Sequence, residues 1–214
     1  MSVVDANTGA KIQRAVFFDR DGVLNQPIMR DGRAHAPVVY GEFVILEEAF
    51  KAIAQVQRAG LRAIVVTNQP EIASGELSRE TLDRIHQRLR YSLAVDDIYV
   101  CPHGESDGCD CRKPRPGMLN KAAHQWDIDL THSFMIGDRW RDVSVGKAAG
   151  CYTVLIRRPY SGEVECDYEA DGVLEAVNHI LRLVSSQHHG ASVRRATEPG
   201  SGSEPPPKFG PLNP

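Results

Sequence analysis

Short unbroken apolar runs recur along the chain, and stretches of helical period separate them. The runs fall at 16–18, 61–66, 97–100, 133–136 and 151–156. They lack the in–out alternation of a strand with one wet face, so they read as parallel strands covered on both sides. Between them, 47–59, 78–93, 117–125, 142–149 and 173–183 read as helices. In the first, Ala49, Phe50, Ile53, Val56 and Gln57 form a mostly apolar stripe, and Gly60 stands where a helix-ending glycine belongs. In the second, Ser78 is a natural N-cap, and Leu82, Ile85, Leu89 and Leu93 share a face. Strands alternating with helices predict an α/β fold, a Rossmann-like parallel sheet with helices on both faces.

The remaining stretches set the limits of that fold. Residues 25–45, with Pro27, Gly32, Pro37 and Gly41, read as one long irregular loop, and such loops are often functional. No insertion is long enough for a large cap domain, so this loop and a second one at 101–113 are expected to shield any site. Residues 1–11 are expected to be a flexible lead-in, 12–186 the folded domain, and 187–214, rich in Gly, Ser and Pro, a disordered tail.

The full chain has 214 residues and a formal net charge of −3. Mild acidity argues against nucleic-acid and membrane-surface binding, and no stretch reads as a signal peptide or bilayer span. Five cysteines, three of them between Cys101 and Cys111, suggest a reduced, cytoplasmic setting and a metal rather than a disulfide scaffold. A monomer is expected.

Chemistry enters at the strand ends. The first run stops in Asp19-Arg20-Asp21-Gly22, two carboxylates beyond the carboxyl end of a strand, where open α/β sheets place ligands. Carboxylates this close repel unless a cation joins them or their roles differ. Thr67 follows the second run, Lys113 lies in Arg112-Lys113-Pro114, and Gly137-Asp138 ends the fourth run with Asp142 one helical turn on. Taken singly, Thr67 could be a turn residue, Lys113 a solvated charge, and the later aspartates helix-start carboxylates. Their order and spacing together closely resemble the haloacid dehalogenase superfamily of phosphatases, over residues 12–160.

That resemblance implies roles. Asp19 would be the nucleophile and a Mg²⁺ ligand, and Asp21 the general acid and base with its carbonyl on the metal. Thr67 and Lys113 would hold the phosphoryl group, Asp138 would ligate Mg²⁺, and Asp142 would support this shell. The chemistry is coherent: phosphoryl transfer depends mostly on positioning and positive charge, and a covalent aspartyl phosphate divides one hard step in two.

Cys101, His103, Cys109 and Cys111 offer three sulfurs and one imidazole, the donor set of a closed structural Zn²⁺ site. A Cys109–Cys111 redox pair and unrelated surface thiols are the alternatives. A metal there would fix the loop that delivers Arg112 and Lys113. The C-x-H and C-x-C spacing, with Thr67-Asn68-Gln69, resembles the histidinol-phosphate and heptose-bisphosphate phosphatase group, and Pro116-Gly117-Met118-Leu119 leans toward the heptose-bisphosphate branch. The likeness makes Asn68, Gln69, Arg112 and Arg139 substrate contacts and a small phosphorylated sugar the partner. Glu71-Ile72-Ala73-Ser74-Gly75 departs from the Gly-Ile-Ala-Arg-Gly common in that branch, and the short knuckle loop is closer to the histidinol-phosphate branch. Arg112 and Arg139, with Arg30 or Arg33 from the loop, could hold a second phosphate, and for Arg30 and Arg33 a surface role is favoured slightly. A nucleic-acid-binding zinc module and a catalytically silent phosphate binder are the rivals from other classes.

Overall fold

The computed structural model describes residues 13–194, with side chains through 186. The lead-in expected at 1–11 and the part of the tail from 195 onward lie outside the described residues. The chain divides into two units, one ending at Leu181 and one beginning at Arg182. Sheet and site belong to the first. The described part of the second is the end of a helix.

Six parallel strands form the sheet: β1 (Ala15–Phe18), β4 (Arg62–Asn68), β5 (Asp97–Cys101), β6 (Phe134–Gly137), β7 (Tyr152–Ile156) and β8 (Tyr168–Ala170). Their spatial order is β5-β4-β1-β6-β7-β8. Every residue of β1 is buried, which is why its sequence shows no alternation. With β4 on one side and β6 on the other, β1 sits where the strand order switches, and a crevice opens beyond such carboxyl ends. On one face Phe17, Ile64, Val66, Leu119, Met135 and Val145 form a continuous core.

The helices are α1 (Glu47–Arg58), α2 (Glu71–Ser74), α3 (Arg79–Leu93), α4 (Gly117–Trp126), α5 (Trp140–Ala149) and α6 (Val173–Arg194). The Ser78 hydroxyl caps α3, accepting from the Thr81 N–H at 3.0 Å. In α1 the buried face is Ala49, Ala52, Ile53 and Val56. The expected stripe holds at Ala49, Ile53 and Val56, but Phe50, 47% exposed, and Gln57 lie off the buried face, and Ala52 belongs on it. Helix α6 runs past the expected end at 183 to Arg194, into the stretch from 187 expected to be disordered.

The loop at 25–45 is not wholly irregular. It contains an antiparallel hairpin, β2 (Ile28–Arg30) and β3 (Arg33–His35). Its turn is Asp31-Gly32, both at positive φ, 48° and 72°. That dipeptide is the strongest short hairpin signal a sequence offers, because both central residues of such a turn need positive φ. Strand β8 also went unforeseen: three residues at a sheet edge give too short a run to read. No helix among the described residues is long and apolar enough to cross a membrane.

Candidate active site

Asp19 and Asp138 lie just beyond the carboxyl ends of β1 and β6, Thr67 is one of the last two residues of β4, and Lys113 reaches Asp19 from the loop after β5. The Asp19 amide donates to the Ile136 carbonyl at 2.9 Å, tying the exit of β1 to β6. Gly22, at φ +88°, turns the chain away. A Cβ there would lie 1.9 Å from Asp138 Oδ2, so only glycine lets this turn approach the second strand end.

Lys113 Nζ is 3% exposed and lies 2.7 Å from Asp19 Oδ1, 2.6 Å from Asp142 Oδ1 and 2.9 Å from the Val66 carbonyl. Burial works against its charge, but the carboxylates of Asp142 and Asp19 outweigh it and raise its pKa. Burial pushes Asp19 up to about 6, with Asp142 and Asp21 adding to the effect and Lys113 opposing it. Burial, then Asp19 and Asp142, push Asp138 up to about 8. Three buried carboxylates against one ammonium leave an excess of negative charge.

The residues fit a hard divalent cation. Ligand atoms of Asp19, Asp138 and Asp142 lie within 4.8 Å of one another. Asp138 Oδ2 accepts from Tyr160 Oη at 2.8 Å, while its Oδ1 is buried without a hydrogen-bond partner. An all-oxygen set with an orphaned carboxylate oxygen suits Mg²⁺. Asp142 belongs to this cluster. It also accepts the Arg139 N–H at 3.1 Å, which starts α5 two residues before the predicted position. The Asp21 carboxylate lies outside the cluster, gripped by Arg20, Asn25 and Gln69.

The HAD-hydrolase-like family model matches residues 110–180. A D-glycero-beta-D-manno-heptose-1,7-bisphosphate 7-phosphatase from Bordetella bronchiseptica is 37% identical over 149 residues, 67% of this chain and 80% of that one. One of the same description from Vibrio cholerae is 36% identical over 186 residues, 79% of this chain and 97% of that one. The crystal structure of D,D-heptose 1.7-bisphosphate phosphatase from B. bronchiseptica, complexed with magnesium and phosphate, superposes with a TM-score of 0.71 at 31% identity, covering 79% of this chain and 99% of that one. The chain belongs to the haloacid dehalogenase-like phosphatases. It is a phosphatase.

Of the residues expected at the site, Thr67, Gln69 and Asp138 do not line the cavity. Gln69 is fully buried and does not line the cavity: its amide donates to Asp21 Oδ2 at 2.8 Å and Thr67 Oγ1 at 2.9 Å. Since Thr67 accepts there, its own O–H is left to donate. Asn68 clamps the Lys113 backbone at two points, its amide nitrogen on the Lys113 carbonyl at 3.2 Å and its amide oxygen on the Lys113 N–H at 3.0 Å. Asn68, Arg112 and Arg139 do face a cavity of about 350 Å³, with Asp19, Asp21, Lys113 and Asp142.

Arg33, for which a surface role was slightly favoured, lines the cavity with its neighbours Ala34, His35 and Ala36, so the 25–45 loop does shield the site. Arg139 Nη2 donates to the Ala34 carbonyl at 2.6 Å and fastens that hairpin down. Arg141, Glu71 and Tyr160 complete the wall. Glu71 Oε2 is buried without a hydrogen-bond partner, and burial raises the Glu71 carboxyl. Arg30 instead pairs with Glu42 at 3.6 Å. The hairpin turn was the signal that could have placed Arg33 here. Tyr160 carries no local signal.

At the end of β5, Cys101, His103, Cys109 and Cys111 form a second cluster. Cys101 Sγ lies 3.6 Å from Cys109 Sγ and 3.7 Å from His103 Nδ1, and Cys111 Sγ lies 3.3 Å from His103 Nδ1 and 3.6 Å from Cys109 Sγ. A tetrahedron with Zn–S about 2.3 Å and Zn–N about 2.0 Å has edges of about 3.5–3.8 Å, so the four donors suit zinc. Gly117 lets α4 abut this knuckle, because a Cβ there would meet the Asp110 carbonyl at 2.4 Å. Arg112 Nη1 donates to the His103 carbonyl at 3.1 Å, and Arg115 donates to the Cys109 carbonyl.

Proposed function

We propose that this phosphatase removes the 7-phosphate of D-glycero-β-D-manno-heptose 1,7-bisphosphate. One observation carries the reading: the buried Asp19–Lys113–Asp142 group opens into a small cavity lined by Arg33, Arg112, Arg139 and Arg141. The size lies at the low end for small-molecule sites, and guanidinium forks suit a second phosphate. Arg112 and Arg139 each keep donors beyond those given to backbone carbonyls.

In the first step an Asp19 carboxylate oxygen attacks phosphorus. The bond to the sugar oxygen breaks, and Asp21 donates a proton to that oxygen. In the second step Asp21 takes a proton from water as the water oxygen attacks the aspartyl phosphate. The Asp19–phosphorus linkage breaks and phosphate leaves. Thr67 and Lys113 hold the phosphoryl oxygens, and Asn68 sets Lys113 in place. Asp19 and Asp138, with the Asp21 carbonyl, would hold Mg²⁺, and Asp142 joins or supports that shell. When bound, the ion neutralises charge on the transferring oxygens.

Cys101, His103, Cys109 and Cys111 hold a structural Zn²⁺ in this reading, fixing the loop that carries Arg112 and Lys113. A second substrate reading has its own support. The unpartnered Glu71 carboxylate oxygen in the cavity wall suits an amine, as in histidinol phosphate. Phosphate release from heptose bisphosphate, histidinol phosphate and common sugar phosphates separates the two. The proposal expects the highest kcat/KM on the bisphosphate, with the 1-phosphate left in place. A preference for histidinol phosphate overturns it, and no release from any ester removes both.

A further inference from the structure

Arg20, the residue between the two aspartates, is fully buried, with 0% of its surface exposed. A buried guanidinium is costly unless its donors are satisfied. Here Nη2 lies 3.0 Å from both Asp21 oxygens and 2.9 Å from Gln69 Oε1, and Nε donates to Asp21 Oδ1 at 3.1 Å. The remaining arm, Nη1, lies 3.1 Å from Nε2 of His86 on α3. Arginine can only donate, so His86 Nε2 accepts. His86 is 5% exposed, and burial with the charges of Arg20 and Arg90 pushes it down to about 3, so the ring stays neutral. It does not line the cavity.

We propose that His86 and Arg20 are positioning residues that fix the Asp21 carboxylate for proton transfer. This rests on the reading of Asp21 as general acid and base. The guanidinium is held at three corners, by Asp21, Gln69 and His86, and so cannot pivot and carry the carboxylate with it. Asn25 Nδ2 adds a hydrogen bond to Asp21 Oδ1 at 3.0 Å. Asp21 still lines the cavity while it is held in this grip.

Leaving-group dependence tests this. Nitrophenolate departs without a proton, whereas a sugar alkoxide needs one, so only the sugar ester requires a well-placed acid. kcat/KM reports the first irreversible step, expulsion of the leaving group. His86→Leu should lose about 10- to 100-fold in kcat/KM on the preferred sugar phosphate and less than about threefold on p-nitrophenyl phosphate. His86→Gln, which keeps an acceptor, should recover most of the loss. If His86→Leu does not fold, Arg20→Lys, which keeps the charge and loses the fork, should show the same selectivity. Equal losses on both esters, or none, overturn the proposal. Asp21→Asn is the separate control: if it shows no selectivity, the acid–base reading of Asp21 fails, and if it does while the His86 and Arg20 variants do not, only the positioning proposal fails.

Discussion

Asp19, Asp138 and Asp142 stand at strand ends and a helix start, buried at 7%, 0% and 2% exposure, with their charge partly met by one lysine. The Cys/His cluster stands on the last residue of β5 and the loop after it, and three of its four members are only partly buried. In the first group the backbone is already fixed by the sheet, so a metal there adds charge rather than order. In the second, Cys101 belongs to the core and Cys109 and Cys111 pack against it, and a metal would tie the loop between them to His103. The two clusters are linked through Lys113, which follows the knuckle in sequence and reaches the carboxylates in space.

The largest expected effect breaks the first group alone. Asp19→Asn should abolish measurable turnover, roughly a thousandfold or more, and leave zinc content unchanged by elemental analysis. Next comes the link between the groups. Lys113→Ala leaves Asp19 and Asp142 buried without their cation, so it should cost about 3 kcal/mol of stability in denaturant titration as well as most activity. Smaller again is damage confined to the knuckle. Cys109→Ser should lower turnover by up to about a hundredfold through misplacement of Arg112 and Lys113, with Mg²⁺ affinity of the residual activity nearly intact. Loss of Mg²⁺ affinity in Cys109→Ser would show that the two groups are not separable.

The smallest effect is one of pH. Asp19 and Asp138 are raised from an ordinary 3.8 to about 6 and about 8. Raised carboxyls bind more protons in the folded than in the unfolded state, so stability falls as pH rises between those values. Without added Mg²⁺, the melting temperature should therefore decline from pH 4 through 6 toward 8. Added Mg²⁺ should oppose the decline, increasingly at higher pH, because it binds the ionised carboxylates. A flat profile without Mg²⁺ would mean that these carboxyls are not raised in solution.

Much of this was legible in the chain because parallel strands buried on both faces write themselves as apolar runs, and three of those runs stop at or beside a residue of the candidate site. Asp19, Thr67 and Asp138 stand at or just past such ends, and the family resemblance supplied their roles. What stayed hidden depends on contacts distant in sequence. His86 meets Arg20 across 66 positions, and Tyr160 reaches Asp138 from beyond β7. Phe50 sits in an apolar period yet faces outward, because Ala52 fills the packed side of α1. Gln69 reads as a substrate contact by likeness, and only its burial shows that it serves Asp21 and Thr67.

The central claim is that Asp19 takes the phosphoryl group. Rapid quenching of the enzyme with radiolabelled phosphate ester and Mg²⁺, followed by peptide mapping, tests it most directly. Hydroxylamine-labile label is expected on the peptide containing Asp19 and absent in Asp19→Asn. Label on another residue, or equal labelling of Asp19→Asn, would contradict it.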